Sequence, residues 1–347
     1  MDYYQIGPIL KEFRIRHRIS QEELCFGLCA TSTLSRIENG RVLPSRGLCE
    51  ALFRRMGIQP PTGQIPMDKD EFRRYQLEMQ IINEYVNGNY DFSLLLNTYN
   101  QLRQPEDIFS QQFHGFFHVM YQKEHNRVHP CFVHDHLVHI LRLTLKDFHP
   151  ACDLTCRYLS SMELLILGGI AANLHDLGRS AAAYRLMEFL KSYYETKIPD
   201  QQVKSRNYTT VLLHLSCWSL EEGRWRDALE LADGGIRFCV GQNSLYLLPQ
   251  LLYNKGLCLA QLGEEENGRK HLHNAASLLD YMGRHEEAAQ MIRSARSQLG
   301  LDFPKSSGQA PSGFVQLTED ELGEVGGGFA HGDFLASGAP LPVAASS

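Results

Sequence analysis

The chain has 347 residues, a formal net charge of -6 and 43% hydrophobic residues, a length for two or three domains, or for one small domain followed by an extended array. Its nine cysteines are odd in number and scattered, with no secretory signal at the N-terminus, which fits a reduced cytoplasm rather than a disulfide framework. No apolar run approaches the ~20 residues needed to span a bilayer. The charge is uneven: residues 1–60 hold nine Lys and Arg against six Asp and Glu, or +3, and leave -9 for the remainder. The first piece therefore suits a polyanion and the rest does not.

In chain order, Ile6, Ile9, Leu10 and Phe13 recur at helical spacing and predict a first helix. The run Ile19-Ser20-Gln21-Glu22-Glu23-Leu24 predicts a short second helix, capped by Ser20, with Glu23 reaching back three residues to the cap. A tight turn leads to a third helix through Thr33-Leu34-Ser35-Arg36-Ile37-Glu38-Asn39-Gly40. Leu24, Leu28, Leu34 and Ile37 join this pair, which leaves Thr31, Ser32, Thr33, Ser35 and Arg36 outside. Short hydroxyls with one arginine on an exposed helix suit base edges in a major groove. After the loop Arg41-Val42-Leu43-Pro44-Ser45, Ser45 caps a fourth helix whose Leu48, Leu52 and Phe53 face the core. Arg41 and Arg46 flank that loop and are expected to grip backbone phosphates, which positions a domain without reading sequence.

The segment from Ile6 to Gly57, through Ser20-Gln21-Glu22-Glu23-Leu24 and Ser35-Arg36-Ile37-Glu38-Asn39-Gly40, resembles the helix-turn-helix domain of the Cro/XRE repressor family. The resemblance implies a five-helix bundle over residues 1–60 and binding to double-stranded DNA as a homodimer. It also implies Gln21 on a phosphate and base readout from the start of the second helix of the motif. Two positions depart from the family: the turn is a residue short, with Cys29 where glycine is usual, and Ala30 stands where a capping serine is common. Phosphate contacts are thus better supported than base contacts.

Gln59-Pro60-Pro61-Thr62-Gly63 breaks the pattern and marks a linker. From 68 to 300 the chain reads as helix after helix. Leu177-Gly178, Glu222-Gly223, Leu262-Gly263 and Met282-Gly283 each place a helix-ending glycine five residues before a small residue, at Ala183, Ala228, Gly268 and Ala288. Asn87-Gly88-Asn89-Tyr90 reads as an earlier member. Glycines 178, 223 and 263 are 45 and 40 residues apart, the spacing of a helical solenoid. Tyr253-Asn254-Lys255-Gly256 through Gly263, and Gly223-Arg224-Trp225 through Ala228, resemble tetratricopeptide repeats, although these units exceed the usual ~34 residues. The fold expected is all-α, a helix-turn-helix bundle followed by a tetratricopeptide-like solenoid and a largely disordered tail at 301–347.

A stack of hairpins presents its first helices to whatever lies in the groove, and side-chain amides can pair with both groups of a peptide backbone. Asn173, Asn207 and Asn254 fall on predicted first helices, with Tyr208, Gln250 and Tyr253 nearby. These six are the expected clamp for a short peptide, although each also reads as an ordinary interhelix hydrogen-bonding residue. A Cro/XRE-like domain before such an array resembles the peptide-pheromone-responsive regulators of Gram-positive bacteria, the Rgg and PlcR types. That resemblance implies a cytoplasmic transcription regulator in which a peptide in the groove changes how two DNA-binding domains are held.

Pro304 to Gly313 form a Pro/Gly/Ser-rich linker. In the stretch Leu317 to Gly328, Thr318 and Glu321 have capping-box spacing, Leu317 and Leu322 have staple spacing, and Leu322 and Val325 share a face. This segment resembles the double-glycine leader of secreted peptides, which a peptidase on an export transporter cuts. The resemblance implies recognition through Leu317, Leu322 and Val325, cleavage after Gly327-Gly328, and release of 329–347. Such a leader normally opens a small protein, and an acidic disordered tail matches the composition too.

His134, His136 and His139, with Asp135, His149 and Cys152, invite a metal. However, ligands two apart splay on a helix, and Cys152 and Cys156 also read as core, so no metal or other cofactor is expected. There is no phosphate-binding glycine loop and no nucleophile with an evident base, so an enzyme is not expected. An interaction scaffold with vestigial DNA binding remains the second reading.

Overall fold

The computed structural model describes residues 6–58, 69–86, 90–103, 106–126, 128–149, 152–198 and 201–299. Within them the chain forms fifteen α-helices and no strand. Four belong to the N-terminal piece: α1 (Ile6–Arg16), α2 (Gln21–Cys25), α3 (Thr31–Glu38) and α4 (Arg46–Arg55). The five-helix bundle expected over residues 1–60 thus shows four helices among the described residues, and the next begins at Lys69.

Local chemistry fixes these four. Ser20 accepts the Glu23 N–H at 3.1 Å while the Glu23 carboxylate accepts the Ser20 N–H at 2.8 Å, closing the capping box. Ser45 caps α4 through Leu48 N–H, and Ala30 opens α3 with no side-chain cap. Leu10, Leu24, Leu34, Ile37, Leu52 and Phe53 are all at most 1% exposed and form one core. A Cβ on Gly7 would collide with the Ile37 carbonyl, so glycine there lets α1 lie directly on α3.

The remaining helices are α5 (Lys69–Val86), α6 (Ser93–Leu102), α7 (Ile108–His125), α8 (Pro130–Leu141), α9 (Ser161–Asp176), α10 (Ser180–Thr196), α11 (Gln201–Glu221), α12 (Trp225–Gly241), α13 (Leu248–Gln261), α14 (Glu265–Tyr281) and α15 (His285–Leu299). Each of α9 to α14 packs on its successor in the chain. The four expected turns are present: Gly178, Gly223, Gly263 and Gly283 all have φ between +72° and +93°, a backbone that side chains disfavour. The small residues five positions later are buried. Gly256 and Gly268 bring α13 and α14 so close that a Cβ on Gly268 would lie 2.7 Å from the Gly256 oxygen. Further back, edge-to-face rings of Tyr85, Phe116 and Phe117 join α5 to α7. Asn87 to Asn89 and the whole tail, including Leu317, Leu322, Val325, Gly327 and Gly328, lie outside the described residues.

Candidate functional site

Two surfaces carry the candidate chemistry. On α3, Thr31, Ser32 and Arg36 are exposed and Thr33 and Ser35 half-buried, and Arg41 is exposed just beyond. Beneath them Glu38 is buried and accepts Arg14 at 2.5 and 2.9 Å and Gln21 at 2.7 Å. The Gln21 amide expected on a phosphate is thus engaged with Glu38, which ties α1, α2 and α3 together.

Arg46 corrects the sequence reading. Its side chain is 9% exposed, and it pairs with Glu78 of α5 at 2.5 Å and Glu50 at 2.9 Å, over the Tyr75 ring. A guanidinium held by two carboxylates is not offered to a phosphate; it fastens α4 to α5.

The N-terminal helices rest on the repeat helices through further polar contacts. Arg55 and Glu163 form an ion pair at 2.8 Å with side chains 1% and 0% exposed. Arg55 also donates to the carbonyls of Leu24 and Phe26, and Glu163 is the third residue of α9, closing a capping box with Ser160. Gly27 abuts the Thr144 carbonyl, and Arg157 stacks 3.8 Å over Phe26.

The second surface is a partly open cavity of about 430 Å³, walled by α5, α7, α8, α9, α10, α11 and α13. Of the six residues expected to clamp a peptide, Asn207, Gln250 and Asn254 line it. Asn254 donates to Ser216 Oγ and Cys217 Sγ, whereas Asn207 Oδ1 and Gln250 Oε1 meet no donor. Asn173, Tyr208 and Tyr253 are not on its wall. Asn173 is 1% exposed inside α9's packing, Tyr253 belongs to the core of α13 to α15, and Tyr208 donates to Glu195. Helical spacing placed them one face away from the void.

The mouth carries groups that the sequence reading did not single out. Lys123 pairs with Asp176 at 2.7 Å, both more than a third exposed. The His175 ring lies flat on Trp218 at 4.5 Å, with its Nε2 3.3 Å from Glu221. Burial raises the Glu221 carboxyl, opposed by His175 and reinforced by Asp176 and Glu222. Burial, with Lys123, pushes His214 down to about 4. Asp176 and Glu221 each stand two residues before a hairpin glycine, and Gln261 holds that position in the next hairpin. That register was the signal in the sequence. Of the histidines first weighed for a metal, His136 instead faces the Gly115 carbonyl at 3.2 Å, and no group of three ligands gathers among the described residues.

Residues 10–62 match the Helix-turn-helix family. This piece is a helix-turn-helix domain. A comparison with curated proteins gives no match. Among solved structures, the chain is similar to Bacillus thuringiensis PlcR in complex with the peptide PapR7 and DNA, at a TM-score of 0.54 and 19% identity, covering 83% of this chain and 99% of that one. PlcR in its apo form matches at 0.52 and 21% identity, over 84% of this chain and 98% of that one. At these identities the likeness is one of fold, a helix-turn-helix domain followed by helical repeats. No helix among the described residues is long and apolar enough to cross a membrane.

Proposed function

We propose that the chain is a sequence-specific, homodimeric DNA-binding regulator whose cavity receives a short peptide, and that occupancy alters how the helix-turn-helix domain is held. One observation carries the reading. α9 holds Arg55 of that domain at its first turn through Glu163, and its later residues Gly168, Gly169, Ala172, His175 and Asp176 wall the cavity. A ligand that favours one position of α9 shifts the population of domain arrangements by its differential affinity. The exposed Thr31, Ser32 and Arg36 meet base edges, and Arg41 meets phosphate. This exposure favours a working reader over a scaffold with vestigial DNA binding.

The peptide is proposed to come from the chain's own tail, cut after Gly328 by a double-glycine peptidase of an export transporter. Co-expression with such a peptidase should release a fragment starting at Phe329, read by mass spectrometry. An intact tail beside a cleaved control substrate would remove this source of ligand.

Gly168→Leu tests the coupling, because a Cβ there meets only Leu190, at 3.9 Å, and the longer chain would fill the void. Footprinting with the wild type should show a palindromic site whose occupancy responds to peptide; the variant should bind DNA but ignore peptide. DNA affinity that is insensitive to salt and sequence would overturn the reading.

A further inference from the structure

Glycine weakens a helix interior relative to alanine, and α9 carries two in its middle, Gly168 and Gly169. At Gly169 the reason is packing: a Cβ would lie 3.4 Å from both Leu137 and Phe116. At Gly168 a Cβ would meet only Leu190 among the described residues, at 3.9 Å, and both Gly168 and Leu190 line the cavity. Packing within the fold therefore does not require glycine there. The repeat register sharpens the contrast. Gly168, Leu213 and Tyr253 each stand ten residues before a hairpin glycine, Gly178, Gly223 and Gly263 in turn. On α11 and α13 that position carries a large side chain, 3% and 4% exposed. On α9 it carries none, and the cavity opens beside it.

We propose that Gly168 is the specificity position of the cavity: a large apolar or aromatic side chain of the bound peptide takes the place that Leu213 and Tyr253 fill in the following repeats. The assignment rests on the peptide reading above. Leu164 and Ala172 lie one turn to either side of Gly168 on the same face of α9, and Leu190 of α10 faces it, so the seat is apolar on each of these sides. The charged mouth plays no part in it, since Asp176 is eight residues further along α9, about 12 Å at the helical rise.

A second observation favours a peptide over a plain hydrocarbon. Gln250 lines the same cavity, is 6% exposed, and its Oε1 meets no donor among the described residues. A buried acceptor of that kind calls for an N–H, which a peptide backbone supplies and a hydrocarbon lacks. Gln250 is on α13, and α11 packs on both α9 and α13. It is therefore assigned to the ligand's backbone, away from the seated side chain. A volume of about 430 Å³ accommodates one such side chain with its adjoining backbone, near the lower end of ligand cavities at ~300–1,000 Å³.

The experiment uses the full chain, immobilised, and a synthetic pool of short peptides of Ala, Gly and Ser in which one position, varied along the peptide, is Leu, Phe, Tyr or Ala. The fragment 329–347 is a second probe. Retained peptides are read by mass spectrometry. The wild type is expected to retain the Leu, Phe and Tyr peptides about tenfold or more over the Ala ones, the effect of burying one large apolar side chain. Gly168→Ala narrows the seat and should weaken the Phe and Tyr peptides before the Leu ones, without lowering the melting temperature. Gly168→Leu should remove the preference altogether. Gly234→Ala, whose Cβ would meet only Leu212, at 3.9 Å, and which is not on the cavity wall, should leave the wild-type ranking unchanged. Retention by the wild type without regard to side-chain size, or a preference that survives Gly168→Leu, would overturn the assignment while leaving a peptide groove. Should only the fragment bind, replacing its Phe and Leu residues with Ala supplies the same comparison. If neither probe binds, the peptide reading fails and this assignment with it.

Discussion

Arg46 and Gln21 sit where phosphate contacts are expected, yet acidic partners hold both. Helical spacing says which side of a helix a residue occupies; it does not say what will come to face that side. Glu78 reaches Arg46 from 32 residues away, and Glu38 reaches Gln21 from the far side of the turn. No local signal announces either meeting. His214 shows the same limit, since an unremarkable histidine in sequence becomes a buried base held near pKa 4. Its folded value lies below the ordinary 6.5, so on acidification the unfolded chain takes up the proton first. Stability is thus fullest above about pH 6.5 and declines as pH falls toward about 4, by an amount on the order of 2–3 kcal/mol from this residue. Urea midpoints from pH 7 to 4 for wild type and His214→Gln should diverge at the neutral end and converge at the acid end. Parallel curves would mean that the imidazole is not held neutral, despite Lys123, Asp176 and His175 around it.

Among the elements, the hairpins were the most legible. A glycine that ends one helix and a small residue five positions on are local necessities, one for a left-handed turn and the other for close approach. All four pairs hold that geometry. The capping box at Ser20 and the cap at Ser45 were equally readable, since both are contacts within one turn. Of the six residues expected from the sequence to form a clamp, only three line the cavity. Its boundary is drawn jointly by seven helices, so a shift of one face decides between Asn254 on the wall and Tyr253 in the core. Gly268→Ala would push a methyl group against the Gly256 carbonyl and Ala260, and should cost about 1–3 kcal/mol as α13 and α14 separate. Gly234→Ala on α12 is the control: its Cβ would meet only Leu212, at 3.9 Å. With helix propensity acting alone, it should stabilise by roughly 0.5–1 kcal/mol. Thermal or urea denaturation of the two variants reads the contrast directly. Equal effects would mean that close backbone approach does not set the hairpin geometry.

For the whole molecule, the deciding contact is the buried pair of Arg55 and Glu163, because it makes the position of the helix-turn-helix domain depend on the first turn of α9. Removing one member leaves the other charge buried without its partner, which typically costs about 3–5 kcal/mol, whereas replacing both is far milder. Arg55→Met should therefore lower stability sharply, and Arg55→Met with Glu163→Gln should recover most of the loss. Additive losses in this double-mutant cycle would show that the pair does not couple the two parts. Hydrogen exchange on α1 to α4 should quicken in the single variant, since four short helices around one small core lean on the repeats for support. Sequence reading found both parts and their order. It could not find the pair, because a basic residue in the last turn of a helix ordinarily points to solvent.

The carboxylates of Asp176 and Glu221 recur at one repeat position, and Gln261 breaks the series. At the cavity this sets one carboxylate beside Lys123 and the other beside His175, while the next hairpin offers an uncharged amide. Copying or deleting one module would change how many acidic groups flank the cavity without touching a single DNA-facing residue.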